Sequence, residues 1–222
     1  MRLLQFGDST FPIGGFSFSC GLESAIQTKL VRCIDTLREF VLTAVEQSAR
    51  GDAIAMLCAH QAATLADIDQ LLTIDRHVHA RKMSEEARTM TTRMGRKFVE
   101  LNCELIKNDL LAQWRNCIET SATPGCFPVA LGITFAVQRL PARTAFVVHQ
   151  YGVTATILSA ALRLLKVSHV DTQKVLYEVN ELSEDAFLEA SNAHLSDMAG
   201  FSPETDILLA YHTKAHVRLF MS

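Results

Sequence analysis

The sequence predicts an all-α fold of about ten helices in one domain that spans residues 1–222. Apolar residues recur at intervals of three, four and seven positions along most of the chain, the spacing of helices with one buried face. No segment alternates polar and apolar residues between turn signals, as a half-buried strand does. Pro128, Pro141 and Pro203 each stand where a new helix can begin, the helical position that proline tolerates best.

The predicted helices follow from where these patterns start and stop. Apolar positions between residues 34 and 45 fall on one helical face, and the pattern breaks near Gly51. The segment 143–166 predicts a long central helix with a small, apolar interior, about 36 Å long at ~1.5 Å per residue. We expect two shorter helices after it and a last helix that starts at Ser202, a good N-cap residue. After a break at residues 50–52, a second helix is predicted through about Thr64. Further helices are predicted at about 67–82, after Ser84, and at about 108–122, 143–166 and 202–219.

The helix after Ser84 carries two patterns. An apolar stripe at helical spacing is expected to face the core. The segment 75–97 is locally basic, which favours either electrostatic attraction of an acidic partner surface or a solvated helix face. The stripe comprises Met83, Ala87, Met90, Met94, Phe98, Leu101 and Leu105, and the cations are Arg76, Arg81, Lys82, Arg88, Arg93, Arg96 and Lys97.

Composition narrows the class of protein. A net charge of -3 and a pI near 6.2 give no general attraction to nucleic acid. Hydrophobic residues make up 49% of the chain, yet no uninterrupted apolar run approaches the roughly 18–20 residues that span a bilayer. No charged-then-apolar secretory leader opens the sequence. We therefore expect a cytoplasmic protein whose surplus apolar residues are buried against other subunits.

The motifs of common chemistries are not found. The six cysteines form no C-x-x-C pair, which indicates free thiols that pack as small apolar groups. The glycines near the amino terminus do not fit a phosphate-binding loop, because no Lys-Ser or Lys-Thr follows them. No G-x-S-x-G elbow or Cys-His signature indicates a nucleophile. The residues therefore indicate neither an enzyme nor a cofactor site.

The stretch TFPIGGFSFSCGLESAIQ, residues 10–27, predicts a tight turn that leads into a helix. Pro12 fixes one backbone dihedral, and Gly14 and Gly15 allow angles closed to other residues. The aromatic side chains on such a turn either fill the core beneath it or meet a partner. These aromatics are Phe11, Phe16 and Phe18.

Two histidines suggest a metal site. His212 and His216 are four residues apart on the last predicted helix and could share one metal ion. Two imidazoles alone make an incomplete site, and no acidic residue at good spacing completes it. Solvated or interface histidines are the other interpretation.

Beyond these patterns, the sequence resembles a known family. LLQFGDSTFPIGGFSFSCGLESAIQ resembles the amino-terminal signature of the UreF family of urease accessory proteins. EEARTMTTRMGRKFVEL resembles the middle helix of the family, in which an arginine precedes a glycine by seven residues, here Arg88 and Gly95. FPVALG and SAALRLLKVSH resemble its later helices, and SPETDILLAYHTKAHVRLFMS resembles its ending. These matches cover almost the whole chain in order.

The resemblance implies an all-α protein that is not an enzyme and that pairs as a homodimer in its working complex. Such proteins bridge UreD, also called UreH, and the GTPase UreG, and the assembly docks on urease apoprotein and assists nickel insertion. Nickel and GTP then act through the partner complex, and no cofactor is expected on this chain. The alternative is a helical metal carrier that binds nickel directly through His212 and His216.

On this resemblance, both ends of the chain are expected to contact partners. The amino-terminal turn would present aromatic surface, and the segment around 202–222 would supply a docking tail for the UreD-type partner. Leu219 and Phe220 lie at the very terminus and are worth ordering only if something covers them. Two arginines and a glycine in the set are equally explicable as helix-packing or dimer residues: Arg88, Arg163 and Gly95. The predicted partner-contact residues are Pro12, Gly14, Gly15, Phe16, Glu23, Arg88, Gly95, Arg163, His212, His216, Arg218, Leu219, Phe220 and Ser222.

Overall fold

The computed structural model describes residues 2–8, 10–199, 202–212 and 219–220, and these contain eleven α-helices and no strand. The predicted all-α fold of about ten helices is therefore confirmed. Two 3₁₀ turns, Gly15–Ser17 and Leu195–Asp197, complete the regular structure. The helices are α1 Arg2–Gly7, α2 Leu22–Gln27, α3 Ile34–Arg50, α4 Asp52–Thr64, α5 Ile68–Arg81, α6 Glu85–Leu105, α7 Asp109–Glu119, α8 Phe127–Val137, α9 Ala142–Leu164, α10 His169–Ser191 and α11 Pro203–His212.

Side-chain caps and prolines set the helix boundaries. Ser84 accepts a hydrogen bond from the backbone N–H of Ala87 at 3.1 Å, and Asn108 caps α7 in the same way. The three prolines that predicted helix starts do stand at the starts of α8, α9 and α11. One expectation was wrong: α10 is a single helix of 23 residues, where two shorter helices were predicted. A reciprocal capping box at Ser168 starts it.

The interior consists of two hydrophobic clusters that share α9. The first surrounds α8, whose residues 128–135 are all buried and which contacts α4, α6, α7 and α9. The second lies between α2, α3, α9 and α10 and also takes in Leu208 of α11 and Phe220. The amino-terminal half of α9 gives Ala145 and Phe146 to the first cluster, and its other half gives Ile157 to the second. Helix α9 thus connects the two halves of the fold.

By length and composition alone, α9 could cross a membrane, and it is the one such helix among the described residues. A helix enclosed by its own fold meets the same criterion. Helix α9 packs against α3, α4, α8 and α10, and the polar side chains of His149 and Gln150 are buried within it. Its apolar character is therefore explained by its central position.

Gly95 permits the close approach of α6 to the start of α8. A Cβ atom at this position would lie 2.2 Å from the carbonyl oxygen of Gly125 and 2.6 Å from the backbone nitrogen of Phe127. Backbone atoms cannot yield as a flexible side chain would, so only glycine fits here. Gly95 was predicted either as a partner-contact residue or as a helix-packing residue, and the structure places it at a contact between α6 and the start of α8.

We predict that Gly95→Ala lowers the free energy of unfolding by about 2 kcal/mol, because α6 must move away from the loop before α8. Gly152→Ala is the matched control. A Cβ at Gly152 meets nothing within 4 Å, and alanine favours the helix by up to about 1 kcal/mol. Urea unfolding followed by circular dichroism measures both values, and equal losses in the two variants would contradict the packing argument.

A polar cluster lies inside the fold where α3, α4 and α9 approach the end of α5. The ammonium of Lys82 donates to both carboxylate oxygens of Asp52, each at 2.7 Å. Burial disfavours the ionised carboxylate, but Lys82 and His149 outweigh it and the pKa of Asp52 lies below its usual 3.8. Burial lowers the pKa of His149 to about 4, with Lys82 adding to the effect and Asp52 opposing it. The Nδ1 atom of His149 lies 3.3 Å from the hydroxyl of Ser48.

This neutral histidine predicts a loss of stability in mild acid. The pKa of His149 is lower in the folded chain than the unfolded value of 6.5, so the unfolded chain takes up the proton first as pH falls. The free energy of unfolding should therefore fall by about 2 kcal/mol between pH 7.5 and pH 5 on this account. Asp52 stays ionised over that range because its pKa lies lower still.

The measurement is urea unfolding across pH 7.5 to 5 for the wild type and two variants. His149→Gln should flatten the pH dependence, whereas His169→Gln, at an exposed histidine, should keep it. An unchanged slope in His149→Gln would show that the acid sensitivity arises elsewhere.

Candidate docking site

The two ends of the described chain meet on α2 and α9. Leu219 and Phe220 lie against the amino-terminal stretch, although almost the whole sequence separates them from it. Phe220 is 5% exposed and packs into the second hydrophobic cluster with Leu22 and Ala25 of α2. We call Phe16, Glu23, Arg163, Leu219 and Phe220 the anchor cluster.

Glu23 holds the terminal residues by their backbone. Its carboxylate accepts from the N–H of Leu219 at 2.9 Å and from the N–H of Phe220 at 3.2 Å. The glutamate is only 4% exposed, and a buried carboxylate is costly unless hydrogen bonds replace its water. Charge-assisted hydrogen bonds of this kind contribute about 1.5–3 kcal/mol each. Glu23 thus fixes Leu219 and Phe220, which lie outside the described helices.

Arg163 joins the two ends from the last turns of α9. Its guanidinium carbon lies 4.2 Å from the centre of the Phe220 ring, a cation–π contact. One terminal nitrogen donates to the carbonyl oxygen of Phe16 at 3.1 Å, and Nε donates to the carbonyl of Ser159 at 3.4 Å. A single side chain therefore contacts the amino-terminal turn and the carboxy-terminal segment together.

The three aromatics of the amino-terminal turn divide between core and surface. Phe11 packs edge-to-face against Phe6 and Phe98, and Phe18 is buried. Phe16 points outward and is 69% exposed. The core interpretation is confirmed for Phe11 and Phe18, and contact of Phe16 with a partner stays a prediction.

Gly14 sets the direction of the turn. Its φ of 80° lies in the left-handed region, and its carbonyl accepts from both the N–H and the hydroxyl of Ser17, at 3.2 and 2.6 Å. Gly15 lies against Met94 of α6, where a Cβ would be 3.4 Å from the methyl carbon. Pro12 is exposed on the same turn. These contacts fix the backbone of the turn that carries Phe16.

Two apolar side chains of the anchor cluster face outward. Leu219 is 73% exposed, a value close to that of Phe16. The buried Glu23 fixes the backbone of Leu219, and the exposed Arg163 fixes that of Phe16. Phe220 itself needs no partner for its burial, because the chain covers it. Phe16 and Leu219 are thus the exposed apolar side chains of the anchor cluster, and we call them the docking pair.

The other predicted contact residues lie apart from this cluster or outside the description. Arg88 is exposed and donates from Nε to the carbonyl of Lys82 at 2.8 Å, which secures the link between α5 and α6. His212 ends α11, and its side chain is not among the described ones. His216, Arg218 and Ser222 lie outside the described residues.

The metal-carrier alternative rests on His212 and His216, so the structure leaves it untested. Within the described ranges, no group of three or more histidine, cysteine, aspartate and glutamate side chains could hold a metal ion. Two other histidines have partners of other kinds: Nε2 of His60 lies 2.8 Å from the carbonyl of Leu140, and His77 accepts from Nε of Arg81 at 2.9 Å. All six cysteines are free, as predicted.

The sequence patterns did not predict the hydrophobic cluster in which Phe220 is buried. Leu22, Val31 and Leu37 are buried in the same hydrophobic cluster as Phe220, and each is an ordinary apolar helix or loop residue in the sequence. The one available signal was Glu23, an acidic residue directly after the apolar Leu22 at the start of a helix. A helix dipole explains such a residue equally well.

Fold and site together describe an all-α protein in which buried and hydrogen-bonded contacts hold the two described ends of the chain together. Comparisons with known proteins identify the family. The family model described as UreF matches residues 31–180. The chain belongs to the UreF family of urease accessory proteins.

Relatives match along nearly their whole length. Urease accessory protein UreF 2 of Brucella canis is 53% identical over 222 residues, which cover 100% of this chain and 91% of that protein. Urease accessory protein UreF 1 of Brucella melitensis is also 53% identical over 222 residues, with 92% of its length covered. Urease accessory protein UreF of Yersinia enterocolitica is 44% identical over 220 residues, which cover 99% of this chain and 96% of that protein.

We predict that Glu23→Gln frees the terminal segment. The amide presents an NH₂ group to a backbone donor and removes the charge from both hydrogen bonds, so the Leu219 and Phe220 amides should exchange with solvent about tenfold faster or more. Hydrogen exchange read by NMR measures this. Glu46→Gln, which removes a carboxylate from a surface ion pair with Arg50, is the control. Unchanged exchange at both amides would contradict the role of Glu23.

Proposed function

We propose that this chain is the docking component of a complex that matures urease. In it the chain bridges a UreD/UreH-type protein and the GTPase UreG, and the assembly acts on urease apoprotein to assist nickel insertion. Membership of the family of urease accessory proteins supports the pathway. The single observation that carries the docking role is the anchor cluster, which fixes Phe16 and Leu219 in the open.

The energetics of association favour such a surface. Interfaces gain most from large apolar side chains that are already held in their bound position, because ordering a mobile segment costs free energy. Glu23 and Arg163 already order the backbone of Leu219 and Phe16 within the fold, so less free energy is lost to ordering when a partner binds. We assign the docking pair to the UreD-type partner and propose that the chain works as a homodimer in the cytoplasm. Nickel is cargo of the complex and GTP is the substrate of its GTPase partner.

The test is urease activity in cells that express urease and the other accessory proteins but lack their UreF component. We expect the wild-type chain to restore activity with nickel in the medium. Phe16→Ala combined with Leu219→Ala should lose both activity and co-purification with the UreD-type protein, because truncation of central apolar side chains typically removes 2 kcal/mol or more of binding energy. Truncation after Ala210 should have the same effect.

Leu65→Ala is the matched control, since Leu65 is 73% exposed at the end of α4, outside the anchor cluster. Circular dichroism should show equal helical content in all variants. Retained co-purification by the Phe16 and Leu219 double variant would remove the proposed docking pair. A wild-type chain that restores no activity and purifies with neither partner would overturn the proposed function.

A further inference from the structure

A second surface borders the turn that carries Phe16. A groove of about 450 Å³ runs between the turn and α6. The turn contributes Pro12, Ile13 and Ser17, and α6 contributes Arg93, Arg96, Lys97 and Glu100 at helical spacing. One wall is therefore mainly apolar and the other is mainly basic.

The charges of this groove do not cancel. Lys97 pairs with Glu100 at 2.6 Å, which leaves the two arginines without a carboxylate partner in the groove. Arg96 donates from Nε to the carbonyl of Pro124 at 2.8 Å, and this bond orients its guanidinium. Among the described residues, the side chain of Arg93 has no hydrogen bond or ion pair, and it is exposed. The groove thus carries a local excess of positive charge on a chain whose net charge is -3.

This arrangement selects among ligands. Guanidinium groups match carboxylates in shape and can bind them through two parallel hydrogen bonds. An acidic chain as a whole repels the phosphate backbone of nucleic acids, which require an extended basic surface. The apolar wall formed by Pro12 and Ile13 adds a place for a side chain that a free small anion lacks.

We infer that this groove binds an acidic polypeptide segment of a partner protein, with carboxylates on Arg93 and Arg96 and an apolar side chain against Pro12. The inference rests on the proposed docking function, because one turn forms a wall of the groove and also mounts Phe16. It adds the chemistry of the partner: an acidic stretch that continues from the apolar contact at the docking pair.

The experiment uses the purified full chain and a fluorescein-labelled peptide, Glu-Leu-Glu-Glu-Leu-Glu, whose binding is followed by fluorescence anisotropy. We expect binding at 50 mM NaCl and clear weakening at 300 mM, since salt screens exposed charges. Arg93→Glu should weaken binding by about fivefold or more, because a favourable charge contact becomes a repulsive one. Arg96 is left intact because it also holds the loop at Pro124.

Arg32→Glu is the matched control, with the same change in net charge at an exposed arginine that does not line the groove. It should bind the peptide as the wild type does, and Arg93→Ala should bind with intermediate affinity. The inference is overturned if the wild type does not bind at 50 mM NaCl, or if Arg32→Glu weakens binding as much as Arg93→Glu does. No urease component is present, so this assay fails independently of the complementation test.

Discussion

The buried carboxylate of Asp75 is the contact on which the packing of the first cluster depends. Asp75 lies in α5, and its side chain is fully buried. Its carboxylate accepts from the hydroxyl of Thr123 at 2.6 Å and from the N–H groups of Gly125 and Cys126 at 2.7 Å. These bonds fix the loop that begins α8, the most enclosed helix of the fold. The tight contact of Gly95 with that loop is possible only while the loop keeps this path. Loss of the carboxylate would leave buried donors without an acceptor.

The buried carboxylate of Glu23 stabilises the backbone of Leu219 and Phe220 in the same way. In both places a buried carboxylate accepts backbone N–H groups of a segment that has no helical partners, and so replaces the hydrogen bonds of regular structure. Asp75 orders a loop inside the core, whereas Glu23 orders a segment that carries an exposed leucine. Elsewhere a helical fold needs few such contacts, because its backbone is satisfied within each helix.

The sequence predicted the helices better than the faces they bury. Helix α3 runs over Ile34–Arg50, as its periodicity indicated. Helix α6 buries Ala87 and Phe98 of the predicted stripe, whereas Met83, just before the helix, is exposed. Thr91 and Asn102 also lie on the buried face with Gly95. Periodicity indicates where apolar side chains lie, but it does not indicate where two backbones must come into contact. The contact of Glu23 with Phe220 was equally hidden, because a lone glutamate in a helix is typical of a solvated surface.

The positions of Phe16 and Leu219 depend on the folded state of the chain. Phe16 and Leu219 come from opposite ends of the chain, and Arg163 and Glu23 hold them only when α2 and α9 are already packed. An incomplete or partly unfolded chain exposes the same side chains, but it cannot hold them in one geometry. Because association is strongest for a surface that is ordered beforehand, the partner would select completed molecules over fragments. Under the proposed function, the anchoring of Leu219 by Glu23 therefore makes docking depend on folding as well as on apolar contact.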